Sequence, residues 1–175
     1  MRKLVLTIVA LAVGVTSAAA QNPISDSIRS QWNGVKRNIK ESAEQMPEAN
    51  YSFKPTPEVR SFGEILAHVA GASYLFCAAA KGEKSPFGEE DFEKTAKTRD
   101  AILKATTDAI AYCDGAFTAL TDATAGQMVA APFGSNQIPR TAALIGQIGH
   151  DNEHYGNLVT YFRLKGMVPP SSKRQ

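Results

Sequence analysis

Histidine, cysteine and tryptophan are scarce in this 175-residue chain, which has three, two and one of them. Two cysteines exclude a four-cysteine zinc knot and a disulfide-dense mini-protein. Neither lies in a C-x-x-C pair or has a basic flank that would lower its pKa, so a redox or nucleophilic cysteine is not expected. Charge of one sign is also lacking. The formal net charge is +2, too little to draw the chain to a nucleic acid. The uncharged apolar run from Leu4 to Val15 is shorter than the roughly twenty residues of a membrane span, and there is no internal repeat or low-complexity block. The remaining composition, 43% hydrophobic and 21% charged, is that of an ordinary globular chain of one domain.

The first twenty residues read as a leader. Arg2 and Lys3 start it, Leu4 to Val15 form a short apolar stretch, and Ala18 and Ala20 stand in A-x-A positions. This is the three-part pattern of a secretory signal peptide. Cleavage after Ala20 removes Arg2 and Lys3, and with them the whole net charge. The mature chain is therefore expected to be neutral, periplasmic or secreted, and without stable membrane insertion. Attraction to phosphate backbones or anionic lipids gives it no driving force.

Four long amphipathic helices are expected next. Ile24, Ile28, Trp32, Val35, Ile39 and Met46 form one stripe, opened by Asn22-Pro23 and closed by Met46-Pro47. Ser61-Phe62-Gly63-Glu64 fits a capping box and starts a second helix that ends near Lys81-Gly82. A connection from Glu83 to about Asp91 leads into a third helix, from about Phe92 to Leu120. The fourth opens at Pro139 and runs to about Lys165, stopped by Gly166 and Pro169-Pro170. No segment shows sustained strand-like alternation. The fold class is all-α, a four-helix bundle over residues 21–170, with 171–175 a short tail.

All three histidines fall on two of these helices. His150 and His154 are four apart, about 40° from each other on one helical face, a spacing that lets two imidazoles reach one metal ion. His68 sits on the second helix. Each lies at the edge of its helix's apolar arc, where a pocket can open to solvent. The pair alone reads more readily as a solvated helix face than as a metal site; His68 in a matched position brings the metal reading level with it. Gly71, Ala72 and Gly146 are small enough to leave room for an ion and a ligand. Gln147, Asn157 and Tyr161 are either pocket-lining or ordinary boundary residues. Glu64 is four residues before His68, but capping explains it without metal. Asp151 points toward the core and can orient an imidazole, whereas Glu153 faces water.

These segments resemble the DinB-like four-helix metalloprotein family. The resemblance rests on the tract from Tyr51 to Pro57, on Ser61 to His68, on Gly149 to Asn157 and on the tail from Tyr161 to Pro170. It implies an up-down-down-up bundle, with Lys81 to Asp91 as a long crossover between the second and third helices. It implies that His68, His150 and His154 bind a divalent metal, with nickel or zinc foremost and manganese or iron as alternatives. Members include transferases and isomerases that use a low-molecular-weight thiol, and members are often homodimers. Most are cytoplasmic, so the leader is a departure, and an oxidising compartment suits a thiol cosubstrate poorly.

Two readings of Cys77 and Cys113 stay open. They form a disulfide between the second and third helices, which the family fold makes parallel, or they are small core residues. Two functions also stay open. One is an exported metal-dependent hydrolase or transferase acting on a small molecule. The other is a non-catalytic protein of stress response or detoxification that binds a metal or small ligand. No Ser-His-Asp arrangement competes, because every histidine is committed to one site, and no general base is identifiable; Asp151, Glu153 and Tyr155 are near only in number.

Overall fold

A computed structural model describes residues 21–88 and 91–174; the leader expected at 1–20 lies outside them. Among the described residues five α-helices and one hairpin follow in order: α1 Pro23–Gln45, α2 Phe62–Lys81, α3 Phe92–Thr95, α4 Arg99–Ala119, β1 Met128–Ala130, β2 Gln137–Pro139 and α5 Arg140–Leu164. The four long helices form a bundle. α2 packs against both α4 and α5, and α1 packs against the same two from the other side. Gly63 lies against Ile102 and Cys77 against Cys113, so α2 and α4 run in the same direction. Ser73 meets Gln147, and Arg60 meets Tyr161, so α5 runs opposite to α2.

Local chemistry sets the helix ends. Asn22 precedes Pro23 at the first position of α1. The capping box at α2 is complete: the Glu64 amide donates to Ser61 Oγ at 3.2 Å, and the Ser61 amide donates to Glu64 Oε2 at 2.7 Å. That bond from Ser61, reinforced by Lys54, holds the Glu64 carboxyl down at about 2. Glu64 is thus a cap and not a fourth ligand to the histidine cluster. Gly82 closes the helix at φ 75°, a left-handed turn that a side chain would strain. Ser61→Ala is expected to destabilise the protein by about 1 kcal/mol, lowering Tm by roughly 2–4 °C in a thermal melt.

The core runs the length of the bundle. Trp32 stacks on Phe117 with ring centroids 4.5 Å apart, and its indole N–H donates to Asp114. Phe62, Leu66, Leu144, Leu158 and Phe162 are likewise sealed from solvent along the bundle. Among the described helices, α2 is long and apolar enough to cross a membrane. Its apolar character on all sides follows from its neighbours, since most of it is buried between α4 and α5.

Three expectations are corrected. Ile24, counted in the first stripe, is 59% exposed, because the chain at that end is held by polar bonds: Asp122 accepts from Ile24, Ser25 and the Ser25 hydroxyl. The third helix is not continuous from Phe92. The chain turns extended at Ala96, and Thr98 caps a new helix by accepting from the Ala101 amide, so α3 and α4 are separate. A small antiparallel hairpin also lies before α5, pairing Val129 with Ile138. Its strands have three residues each, too few for alternation to register in sequence.

Candidate metal centre

The antiparallel packing of α2 on α5 brings the three histidines together. His68 lies in the second turn of α2, a position fixed by the capping box at Ser61. His150 and His154 stand one turn apart on α5. One ring nitrogen from each histidine lies within 4.8 Å of those of the other two. The rings cross at 41°, 78° and 73°, with centroids 4.5–5.1 Å apart, so no two of them are stacked face to face. His68 Nε2 and His150 Nε2 are 3.2 Å apart. Two imidazoles ligating one ion at about 2.0–2.1 Å in tetrahedral or octahedral geometry hold their nitrogens roughly 3–3.4 Å apart.

Burial and nearby positive charge favour the neutral, ligating form of His68 and His154. His68 Nδ1 is 3.0 Å from Glu93 Oε1, and the other Glu93 oxygen takes the Arg60 guanidinium at 2.9 Å. An N–H on Nδ1 facing that carboxylate leaves Nε2 bare toward the cluster. Burial is the main cause that lowers the His68 pKa, followed by Arg60 and His150, while Glu93 opposes them. His154 is more buried than an edge position suggests, at 8% exposure, and burial together with the other two histidines pushes its pKa down to about 4. Its Nδ1 is buried without a hydrogen-bond partner. Three convergent imidazoles, with an orphaned buried nitrogen on His154, fit a divalent metal ion.

Asp151 faces the core, as its place on the wheel suggests. It is 2% exposed, its Oδ2 accepts from Gln147 at 2.9 Å, and its Oδ1 lies 3.5 Å from His150 Nδ1, too far for a strong bond. Burial raises its pKa to about 6, against the opposing pull of His150 and Gln147. Gln147 is itself sealed in, donating to Ser73, and lines no cleft.

His154 and Asp151 make opposite demands on folding as pH changes. The His154 site takes its proton near 6.5 in the unfolded chain but only near 4 when folded, so its contribution to stability is lost as pH falls through that window. Folded Asp151 keeps its proton up to about 6, against 3.8 unfolded, so its contribution is present at low pH and lost as pH rises. The two offset each other between about pH 4 and 6. In metal-free protein, Asp151→Asn is therefore expected to steepen the loss of Tm on acidification from pH 6.5 to 4. An unchanged slope in melts with chelator would refute the assignment.

Two clefts flank the cluster, separated by the Arg60–Glu93 pair. One, of about 730 Å³, reaches His154 and is bordered by Lys54, Glu64, Asn157 and Tyr161. The other, of about 630 Å³, reaches His68 and His150 over Gly71 and Ala72. These two small residues do leave space at the site. Gly146 does not: a Cβ there would meet the Phe76 ring at 2.9 Å, so its smallness seats Phe76, which packs on His150. Glu93 is the site residue that sequence reading missed. It lies 25 residues from His68, on a four-residue helix that was folded into a longer one. The available signals were Asp91, which caps α3 by accepting from the Glu93 amide, and Thr98, which caps α4.

A bundle of four long helices with a three-histidine centre between α2 and α5 defines a class of helical proteins with a metal-type site. Residues 31–158 match the DinB superfamily, and the chain belongs to it. A DinB-like protein from Bacillus cereus is similar in structure, with a TM-score of 0.68 at 15% identity over 83% of this chain and 95% of that one. YfiT from Bacillus subtilis, described as a probable metal-dependent hydrolase with an unusual four-helix bundle topology, has a TM-score of 0.61 at 16% identity over 87% and 93%. The mycothiol-dependent maleylpyruvate isomerase has a TM-score of 0.61 at 14% identity over 77% of this chain and 60% of that one. No curated protein matches the sequence.

Proposed function

We propose that the protein is an exported metal-dependent enzyme, a hydrolase or transferase acting on a small molecule, with His68, His150 and His154 as ligands. The observation that carries the reading is the convergence of three imidazoles at the meeting point of two open clefts. A divalent ion held by three uncharged ligands keeps its full charge, so it supplies a Lewis acid that makes water or a thiol more acidic or polarises a carbonyl. Nickel or zinc suits an all-imidazole donor set; iron accepts imidazole as well, whereas manganese prefers oxygen ligands. The similarity to YfiT supports hydrolysis, and the similarity to the mycothiol-dependent isomerase supports chemistry involving a thiol. The N-terminal leader pattern supports export, as does the Cys77–Cys113 disulfide.

The chain's own residues hold and shape the centre. Glu93 fixes the ring of His68 and its tautomer, and Arg60 clamps Glu93. Tyr161 donates its hydroxyl to the Arg60 carbonyl and so ties α5 to that clamp. Glu93→Ala is expected to weaken zinc or nickel binding by about tenfold, read by calorimetry, since a carboxylate that orients a ligating histidine contributes on that scale.

One observation favours the second reading, a non-catalytic binder of a metal or small ligand in stress response or detoxification. Both carboxylates nearest the cluster are engaged: Glu93 by His68 and Arg60, and Asp151 by Gln147. Neither is free to serve as a general base. The deciding experiment screens nickel-, zinc- and manganese-loaded protein against ester, amide and thiol-adduct substrates. Turnover that disappears in His68→Ala supports the enzyme. Turnover that survives it argues against metal chemistry, and no turnover with any metal supports the binder.

A further inference from the structure

The two clefts that meet at the histidines differ in chemistry. The cleft reaching His154 is bordered by charged groups already paired with one another, Lys54 with Glu64 and Arg60 with Glu93. The cleft over His68 and His150 has one polar wall, whose charged groups are paired, while the buried Ser85 hydroxyl in the lining has no partner. Arg60 pairs with Glu93, and Asp91 pairs with Lys94 while accepting from the Glu93 amide. Its other wall is apolar, built from Gly71, Ala72, Tyr74 and Leu75.

Two phenylalanines form the lips of this second cleft. Phe87 and Phe133 are 43% and 59% exposed and come from different connections, one after α2 and one in the hairpin turn. Each is followed by a glycine in a left-handed turn, Gly88 at φ 58° and Gly134 at φ 76°. From each lip, ring contacts run inward. Phe133 meets Phe76 at 5.4 Å, and Phe76 meets His150 at 5.7 Å; on the other side, Phe87 meets Tyr74 at 4.6 Å. A single exposed phenylalanine is unremarked on a protein surface, but two lining one cleft above convergent histidines make an apolar entrance of ligand size.

We infer that this cleft takes an aryl-sized apolar group of the ligand, with a polar head directed at the three histidines. The inference rests on the metal-centre reading above and names the class of molecule that the centre acts on or holds. The small floor residues admit a flat group, and the paired polar wall offers it no unsatisfied charge.

Two hydroxamates with the same chelating head and different tails test it on the zinc-loaded full chain. By calorimetry, benzohydroxamate is expected to bind about thirtyfold more tightly than acetohydroxamate, the scale for burying one ring. In the Phe87→Ala/Phe133→Ala double variant that advantage is expected to fall below about threefold while acetohydroxamate binds as before. Both side chains are exposed, so the variant keeps its core. Equal affinity for the two compounds, or an aryl advantage undiminished in the double variant, overturns the inference and leaves the metal centre standing. Failure of both compounds to bind zinc-loaded protein overturns the metal-centre reading and this inference with it.

Discussion

His150→Ala is expected to abolish stoichiometric metal binding. The wild-type chain, purified without a histidine tag and loaded with zinc or nickel, should carry one ion per chain by elemental analysis. The variant should carry less than about a tenth of that, with affinity reduced more than about a hundredfold, beyond the range for loss of a supporting residue. The reason is geometric. His150 Nε2 lies 3.2 Å from His68 Nε2, and removing it leaves two ligands on different helices with nothing to close the coordination shell. Folding should survive, because the His150 side chain is 18% exposed and its polar contacts, His68 Nε2 at 3.2 Å and Asp151 Oδ1 at 3.5 Å, lie within the cluster and not in the apolar core; an unchanged circular dichroism spectrum checks this. His154→Ala supplies the independent variant. The order of effects matters as much as their size: either ligand variant should lose far more affinity than Glu93→Ala. Wild-type affinity and stoichiometry in both ligand variants would sink the metal centre.

The helices were legible because their signals are local. Ser61 and Glu64 cap each other three residues apart, Gly82 ends the same helix, and Met46-Pro47 ends α1, all within one or two turns of chain. The histidine trio was legible because the stripes fix which face of each helix turns inward, and α2 beside α5 then makes His68 meet His150 and His154. What was not legible depended on partners far along the chain. Gly146 looks like room for a ligand until the Phe76 ring from another helix fills that room. Glu93 is one acidic residue among several on a polar connection until the break at Ala96 turns it toward His68. Periodicity read Phe92 to Leu120 as one helix, since a three-residue interruption shifts the apolar spacing too little to notice. The pairing of Cys77 with Cys113 needed a distance, 5.3 Å between Cα atoms, which spacing in sequence cannot supply.

Loss of that disulfide is expected to be the largest single change in stability. The bond joins positions 36 residues apart and closes the loop that contains the whole connection from α2 to α4. Freeing a loop of that length in the unfolded chain corresponds to about 3–4 kcal/mol in the chain-entropy account. For a chain of this size the melting temperature should fall by roughly 7–15 °C in Cys77→Ala/Cys113→Ala. Both sulfurs are fully buried, so dithiothreitol should not reduce the folded wild type at 25 °C, and alkylation followed by mass spectrometry should find no free thiol. A Tm within about 2 °C of wild type, or two alkylated thiols in untreated protein, would show that the bond is not closed in solution. The connection it closes also carries Glu93, the residue that holds His68 in place. Opening the cross-link should therefore loosen the metal centre as well, with zinc affinity falling by up to about tenfold, the loss expected for Glu93→Ala. A stability loss with unchanged zinc affinity would mean that the Arg60 clamp alone suffices to hold Glu93.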